Sequence, residues 1–263
     1  QQAIATLGKF IENYPQSPDM TQAVFYLAES YRETGDKEKA CAEYAKVMNA
    51  ESSLSFVEMS KLRYAQLSFD LQRYSDAYNG YLALSETTRI ENNRTVAREG
   101  MMLSAYKSKD YDKAVIAATA VVSDVDADKD TKTEAKYIKA KSLLATSKRS
   151  EAMKLFAELG AVPSSPRGAE SKYLLIQNLF DTADFDAVES EVYDFSQKSG
   201  NQSYWLAKAY LVLGDSFVER GLYDQAKATY ESIGEGYQAP SAGDDIADNV
   251  KKRLDRLAGL MEN

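Results

Sequence analysis

The 263 residues include no histidine. That removes the commonest general base, the nucleophilic triads that use it, and the commonest zinc ligand. Cys41 is the single cysteine, which excludes an intrachain disulfide. Beside Ala40 it reads as a small packing residue of a helix rather than a nucleophile. No apolar run reaches the roughly 18 residues that a membrane-spanning helix needs. Five prolines and thirteen glycines are too few for long flexible linkers. A glycine-rich phosphate loop is also missing. Basic residues cluster only at Lys251-Lys252-Arg253, and the net charge is −8. Nucleic-acid binding is disfavoured, because neutralising phosphates needs a positive face. The acidic balance serves solubility. Forty acidic residues spread over the surface give many chance pairs but no convergent pocket, so no enzyme and no cofactor are expected.

What the chain does have is periodicity. Ala3, Ala40, Ala77, Ala114, Ala152, Val188 and Ala226 recur at intervals of 37, 37, 37, 38, 36 and 38 residues. Periods in this range mark stacked arrays. Four residues after each anchor stand Leu7, Tyr44, Tyr81, Ala118, Phe156, Val192 and Tyr230. Seven after stand Phe10, Val47, Leu84, Val121, Leu159, Phe195 and Ile233, which completes a helical stripe. Twelve before stand Ala28, Ala65, Met102, Ala140, Ile176 and Gly214, on an earlier helix of the same period. Turn signals lie between the two helices at Thr34-Gly35-Asp36, Lys109-Asp110, Ala183-Asp184 and Arg220-Gly221. Small residues let two helix backbones approach closely, and the larger side chains fill the grooves beside them. One hairpin cannot bury its apolar face alone, so neighbours must stack. Ser17-Pro18 and Ser165-Pro166 read as helix starts, and Thr131 to Glu134 has capping-box spacing.

These residues resemble the tetratricopeptide repeat. The best copy is Tyr210, Leu213, Gly214, Phe217, Gly221, Tyr223, Ala226 and Tyr230. The resemblance implies an all-α, right-handed superhelical solenoid of antiparallel helical hairpins. The run Phe10 to Pro18, followed by Ala23, Tyr26, Leu27, Ala28, Tyr31, Gly35 and Ala40, is similar to a finer subtype. That subtype occurs in bacterial cell-envelope proteins such as the Bam-complex outer-membrane assembly lipoprotein and the periplasmic Tol–Pal coordinator. It implies a periplasmic or envelope-associated setting. One solenoid over residues 1–263 is expected: an orphan second helix at 1–17, six hairpins over 18–236, and a terminal or capping helix at 244–261. In that last helix Ile246, Val250, Leu254 and Leu257 face inward and the basic residues outward. Because Ala3 is already the anchor of a second helix, the chain reads as a fragment of a longer protein.

The first helices of such an array carry a second stripe turned to the concave side, at 15, 11 and 8 residues before each anchor. It supplies a candidate binding groove: Phe25, Arg32, Leu62, Phe69, Leu103, Tyr106, Tyr137, Lys141, Tyr173, Gln177 and Phe180. Apolar surface of this extent marks a binding site. The same residues would equally be core if curvature closed the face on itself. The lead function is a scaffold holding a protein or peptide with apolar anchors. The rivals are a structural spacer of a larger multidomain protein and a binder of envelope polysaccharide or lipid. One metal site is weighed. Asp124, Asp126, Asp128 and Asp130 alternate like a calcium loop, but Lys129 replaces its glycine and Ala135 its terminal glutamate. A solvated loop whose last aspartate or threonine caps the next helix is the plainer reading.

Overall fold

The structure, a computed structural model, describes residues 1–50, 54–239 and 244–262. All of its regular elements there are helices, and the fold is an all-α array of helical repeats. Two compact units divide the chain, Gln1–Ser147 and Lys148–Asn263. The first holds α1 (Gln2–Asn13), α2 (Met20–Glu33), α3 (Lys37–Met48), α4 (Ser55–Asp70), α5 (Tyr74–Thr87), α6 (Glu91–Lys107), α7 (Tyr111–Ser123) and α8 (Lys129–Ala145). The second holds α9 (Arg149–Gly160), α10 (Pro166–Asp181), α11 (Phe185–Lys198), α12 (Ser203–Glu219), α13 (Tyr223–Gly236) and α14 (Ile246–Met261). Each helix packs on the next within its unit, and each first helix also touches the following first helix.

The periodic residues form the core. Ala40, Ala77, Ala114, Ala152, Val188 and Ala226 are all fully buried. Their companions four and seven residues on are buried too, from Tyr44 and Val47 to Tyr230 and Ile233. Burying one such large side chain contributes about 1.5–3 kcal/mol. Ala3 differs: it is exposed, because α1 packs on α2 alone among the described helices.

Every hairpin turn is built the same way. The residue five before the anchor has positive φ: Gly35, Gln72, Lys109, Ser147, Ala183 and Gly221. At Gly35, Gln72, Lys109, Ala183 and Gly221 its N–H bonds the carbonyl three residues back. The following N–H bonds the carbonyl five back. That double bond closes the first helix in a Schellman motif. The left-handed conformation is free only to glycine, so four of these turns are strained. Ala183, at φ 58°, is exposed and has the least side chain to lose. Ala183→Gly should therefore stabilise unit 2 by about 0.5–1 kcal/mol, since relief of strain exceeds the added freedom of the unfolded chain. Differential scanning calorimetry should show the thermal midpoint rising, with Gly35→Ala moving unit 1 the other way. No atom lies within 4 Å of a Cβ added at Gly35, so the comparison isolates the backbone.

Helix starts agree in part with the sequence. Ser165 caps α10 by accepting from Gly168 N–H at 3.1 Å, with Pro166 in the first turn. Ser17-Pro18 instead forms a turn in which Ser17 Oγ accepts from Asp19 N–H, and α2 starts at Met20. The capping box at Thr131 is displaced: Asp128 caps α8 and Thr131 N–H is its donor, at 2.7 Å. An aspartate three residues upstream outcompetes the threonine, as its carboxylate accepts more strongly. Where the residue after the turn is Asp36, Asp110 or Asp184, its side chain caps the second helix in the same way.

Candidate binding face

In unit 1 the predicted stripe divides between core and surface. Phe25 is buried, its ring 6.2 Å from Tyr44 and 5.8 Å from Phe56. Tyr137 is buried as well. Both are therefore core residues rather than groove residues, a correction that follows from packing their large rings beneath neighbouring helices. Leu62, Phe69, Leu103, Tyr106 and Lys141 are half-buried. Leu62 and Phe69 lie against the cluster of Ala65, Ala77 and Tyr81. Lys141 Nζ sits 5.8 Å from the centre of the Tyr137 ring. Glu99, on the same stripe, has its pKa raised by burial and by the charges of Asp128 and Asp124.

The rings eight before the anchor share one device. Phe69 meets Tyr74 edge-on at 5.2 Å, Tyr106 meets Tyr111 at 6.2 Å, and Phe180 meets Phe185 at 5.8 Å. Each pair spans the hairpin turn, so each ring buttresses that turn while it stays half-exposed.

Arg32 is half-buried in an ionic knot. It pairs with Glu29 at 2.7 Å, and Glu29 also accepts the Tyr44 hydroxyl. Arg63 approaches the same carboxylate at 4.0 Å. Burial pushes the Glu29 pKa up, but the bonds from Arg32 and Tyr44 outweigh it and hold it below the usual range. The Tyr44 hydroxyl is pushed up by burial and by that carboxylate.

Unit 2 repeats the tyrosine–carboxylate pair at the equivalent positions, four after and eleven before the anchor, with an arginine from a different position. Tyr230 donates to Asp215 at 2.7 Å, and Arg253 grips the same carboxylate through Nε at 2.8 Å and Nη2 at 2.7 Å. Arg253 thus faces α12, not solvent as its place in a basic run suggests, because a bidentate carboxylate outweighs full hydration there. Nearer the start of α14, Asp245 accepts from the Tyr204 hydroxyl at 3.0 Å and from Lys208 at 3.3 Å. Lys208 also lies 5.6 Å from the Tyr173 ring centre, and Tyr173 packs on Trp205 at 5.5 Å. Gln177 donates to Asp181 at 3.0 Å. Tyr173, Gln177 and Phe180 of α10 are half-buried, as are Tyr204, Lys208 and Val218 of α12. These links make one face of α10, α12 and α14.

That face ends in a cleft of about 410 Å³. Phe180, Val218, Leu257 and Leu260 supply its apolar walls; Tyr230, Asp215 and Arg253 line it too, and Glu219, Lys252 and Arg256 stand beside them. Sequence periodicity places Asp215 and Val218 on the stripe but misses the part of α14. The signal for it is the spacing Asn249, Arg253, Arg256 and Leu260, which continues the first-helix register.

The alternating aspartates are engaged elsewhere. Asp124 is buried, pairs with Arg98 at 2.6 Å, and accepts from Thr95 and from Asp126 N–H. Asp128 is the helix cap already described. Among the described residues no group of three or more metal-binding side chains converges. No described helix is long and apolar enough to cross a membrane.

Comparison with known families gives three matching segments. Residues 1–17, 22–51 and 204–237 match the model of the tetratricopeptide repeat. The two longer segments contain the Tyr44–Glu29 and Tyr230–Asp215 knots. Among solved structures, a tetratricopeptide repeat protein from Parabacteroides merdae is similar at 15% identity and a TM-score of 0.42, over 95% of this chain and 91% of that one. No curated protein matches the chain.

Proposed function

We propose that the protein is a non-enzymatic scaffold that holds a protein or peptide segment against the first-helix faces of its repeats. The supporting observation is the set of half-exposed rings on the first helices, Phe69 and Tyr106 in unit 1 and, separately, Tyr173 and Phe180 in unit 2, each anchored on a neighbouring ring. Rings fixed in this way lose little freedom on binding, which is what interface anchors require. Envelope assembly in a bacterium is the setting this reading favours, on the resemblance of the Phe10–Pro18 run.

A spacer role is the second reading, favoured by the burial of Phe25 and Tyr137 and by the buttressing of the turns. One experiment separates the two. Substituting Phe69, Tyr106 and Tyr173 together by alanine should abolish capture of a partner from an envelope extract of the source organism. Stability should fall by only about 1 kcal/mol per ring, since each is already partly in solvent. A large drop in thermal midpoint with no partner lost would instead establish the spacer.

A further inference from the structure

The cleft at the end of unit 2 differs from the rest of the face in both shape and charge. Its volume of about 410 Å³ lies within the range of ligand pockets, and its walls are Phe180, Val218, Leu257 and Leu260. Leu260 is 38% exposed at the last turn of α14, an apolar side chain with water on one side. The charges around it are unequally used. Arg253 is neutralised by Asp215. Lys252 and Arg256 line the cleft without a carboxylate partner among the described residues, against Glu219 alone. The mouth therefore carries surplus positive charge on a chain whose net charge is −8.

We propose that this cleft binds an acidic, apolar peptide segment: a large apolar side chain enters between Phe180 and Leu257, and neighbouring carboxylates meet Lys252 and Arg256. The assignment rests on the scaffold reading above and adds the chemistry of the ligand. Apolar burial supplies the affinity and the two rim cations supply the selection, since like charge at the mouth repels a basic segment. Neither cation is tied to the fold by an ion pair among the described residues, so both can engage a ligand without breaking one of those pairs.

The test uses the full chain and two fluorescein-labelled peptides with blocked ends, one alternating glutamate with leucine and phenylalanine, the other with lysine in place of glutamate. Anisotropy titration should show saturable binding of the acidic peptide and none of the basic one. The double variant Lys252→Glu/Arg256→Glu should weaken acidic-peptide binding at least about tenfold, and raised salt should weaken it in the wild type. Lys9→Glu, far along the chain on α1, should leave it unchanged. Equal binding of both peptides, or an unaltered affinity in the double variant, overturns the proposal. So does a dimer in sedimentation that the double variant abolishes, which would make a second copy the occupant. Partner capture that depends on Phe69, Tyr106 and Tyr173, found together with no acidic-peptide binding, would overturn the cleft assignment while leaving the scaffold reading in place.

Discussion

Replacing Gly214 with alanine is expected to destabilise unit 2 by about 2–4 kcal/mol and to lower its thermal midpoint by roughly 10 °C. A Cβ at this position would lie 2.3 Å from Cε1 of Tyr230. Elsewhere a ring could swing aside. Here Tyr230 is 1% exposed, and its hydroxyl is bound to Asp215, which Arg253 holds in turn. Relief requires either breaking a hydrogen bond to a charged group, at about 1.5–3 kcal/mol, or prying α12 from α13. The intrinsic helix preference for alanine opposes this by only about 1 kcal/mol. Gly234 gives the control. It is an exposed helical glycine whose added Cβ meets only Val250, at 3.7 Å, so Gly234→Ala should be neutral or stabilising. Urea unfolding of both variants checks the contrast. Tyr230→Phe in the Gly214→Ala background should recover part of the loss by freeing the ring; if Gly214→Ala alone costs nothing, the ring is not locked.

Lys172→Ala is the second large effect. Lys172 is 8% exposed, and its ammonium bonds both Glu191 and Asp194, the latter at 2.9 Å. Alanine leaves a cavity and two carboxylates close together without their shared cation. The cost should be about 2–3 kcal/mol, below that of a fully buried pair because both acids are partly in water. Lys172→Met keeps the volume and should cost about 1 kcal/mol. The pH dependence separates the ionic part from the packing. Burial alone lowers the lysine pKa, but the bonds to Glu191 and Asp194 overcome it and raise it above normal. A raised pKa in the folded state means that the ionic contribution is complete below the unfolded value of about 10.4 and is lost as pH rises through the folded value. The advantage of wild type over Lys172→Met should thus be flat from about pH 7 to 10 and shrink above it. An advantage independent of pH would show that packing alone is responsible.

The periodic core was legible because its signal is repeated and purely steric: a small residue where backbones meet, a large one four positions on. Turn positions were legible where glycine or aspartate marks them. Gln72 and Ser147 adopt the same left-handed conformation with no such mark, because the hairpin around them imposes it. The exposure of the candidate stripe was not legible in the sequence. Phe25 and Phe69 hold the register positions of one stripe, yet composition cannot tell which of them is covered. Phe25 is covered by Phe56 of the next first helix, while Phe69 stays half-exposed beside Tyr74 of its own hairpin. The place of Arg253 was hidden for a different reason. Its partner Asp215 lies 38 residues away, and a charge in a basic run looks solvated until that partner is known.

Within each unit, helices touch only the next helix and the next first helix. Contacts made so locally share load poorly. Pulling on one end loads a single interface at a time, and no distant helix takes up part of the force. Such a unit should peel hairpin by hairpin at low force and close again quickly, because no long loop must be recaptured. The material is closer to a spring than to a shell.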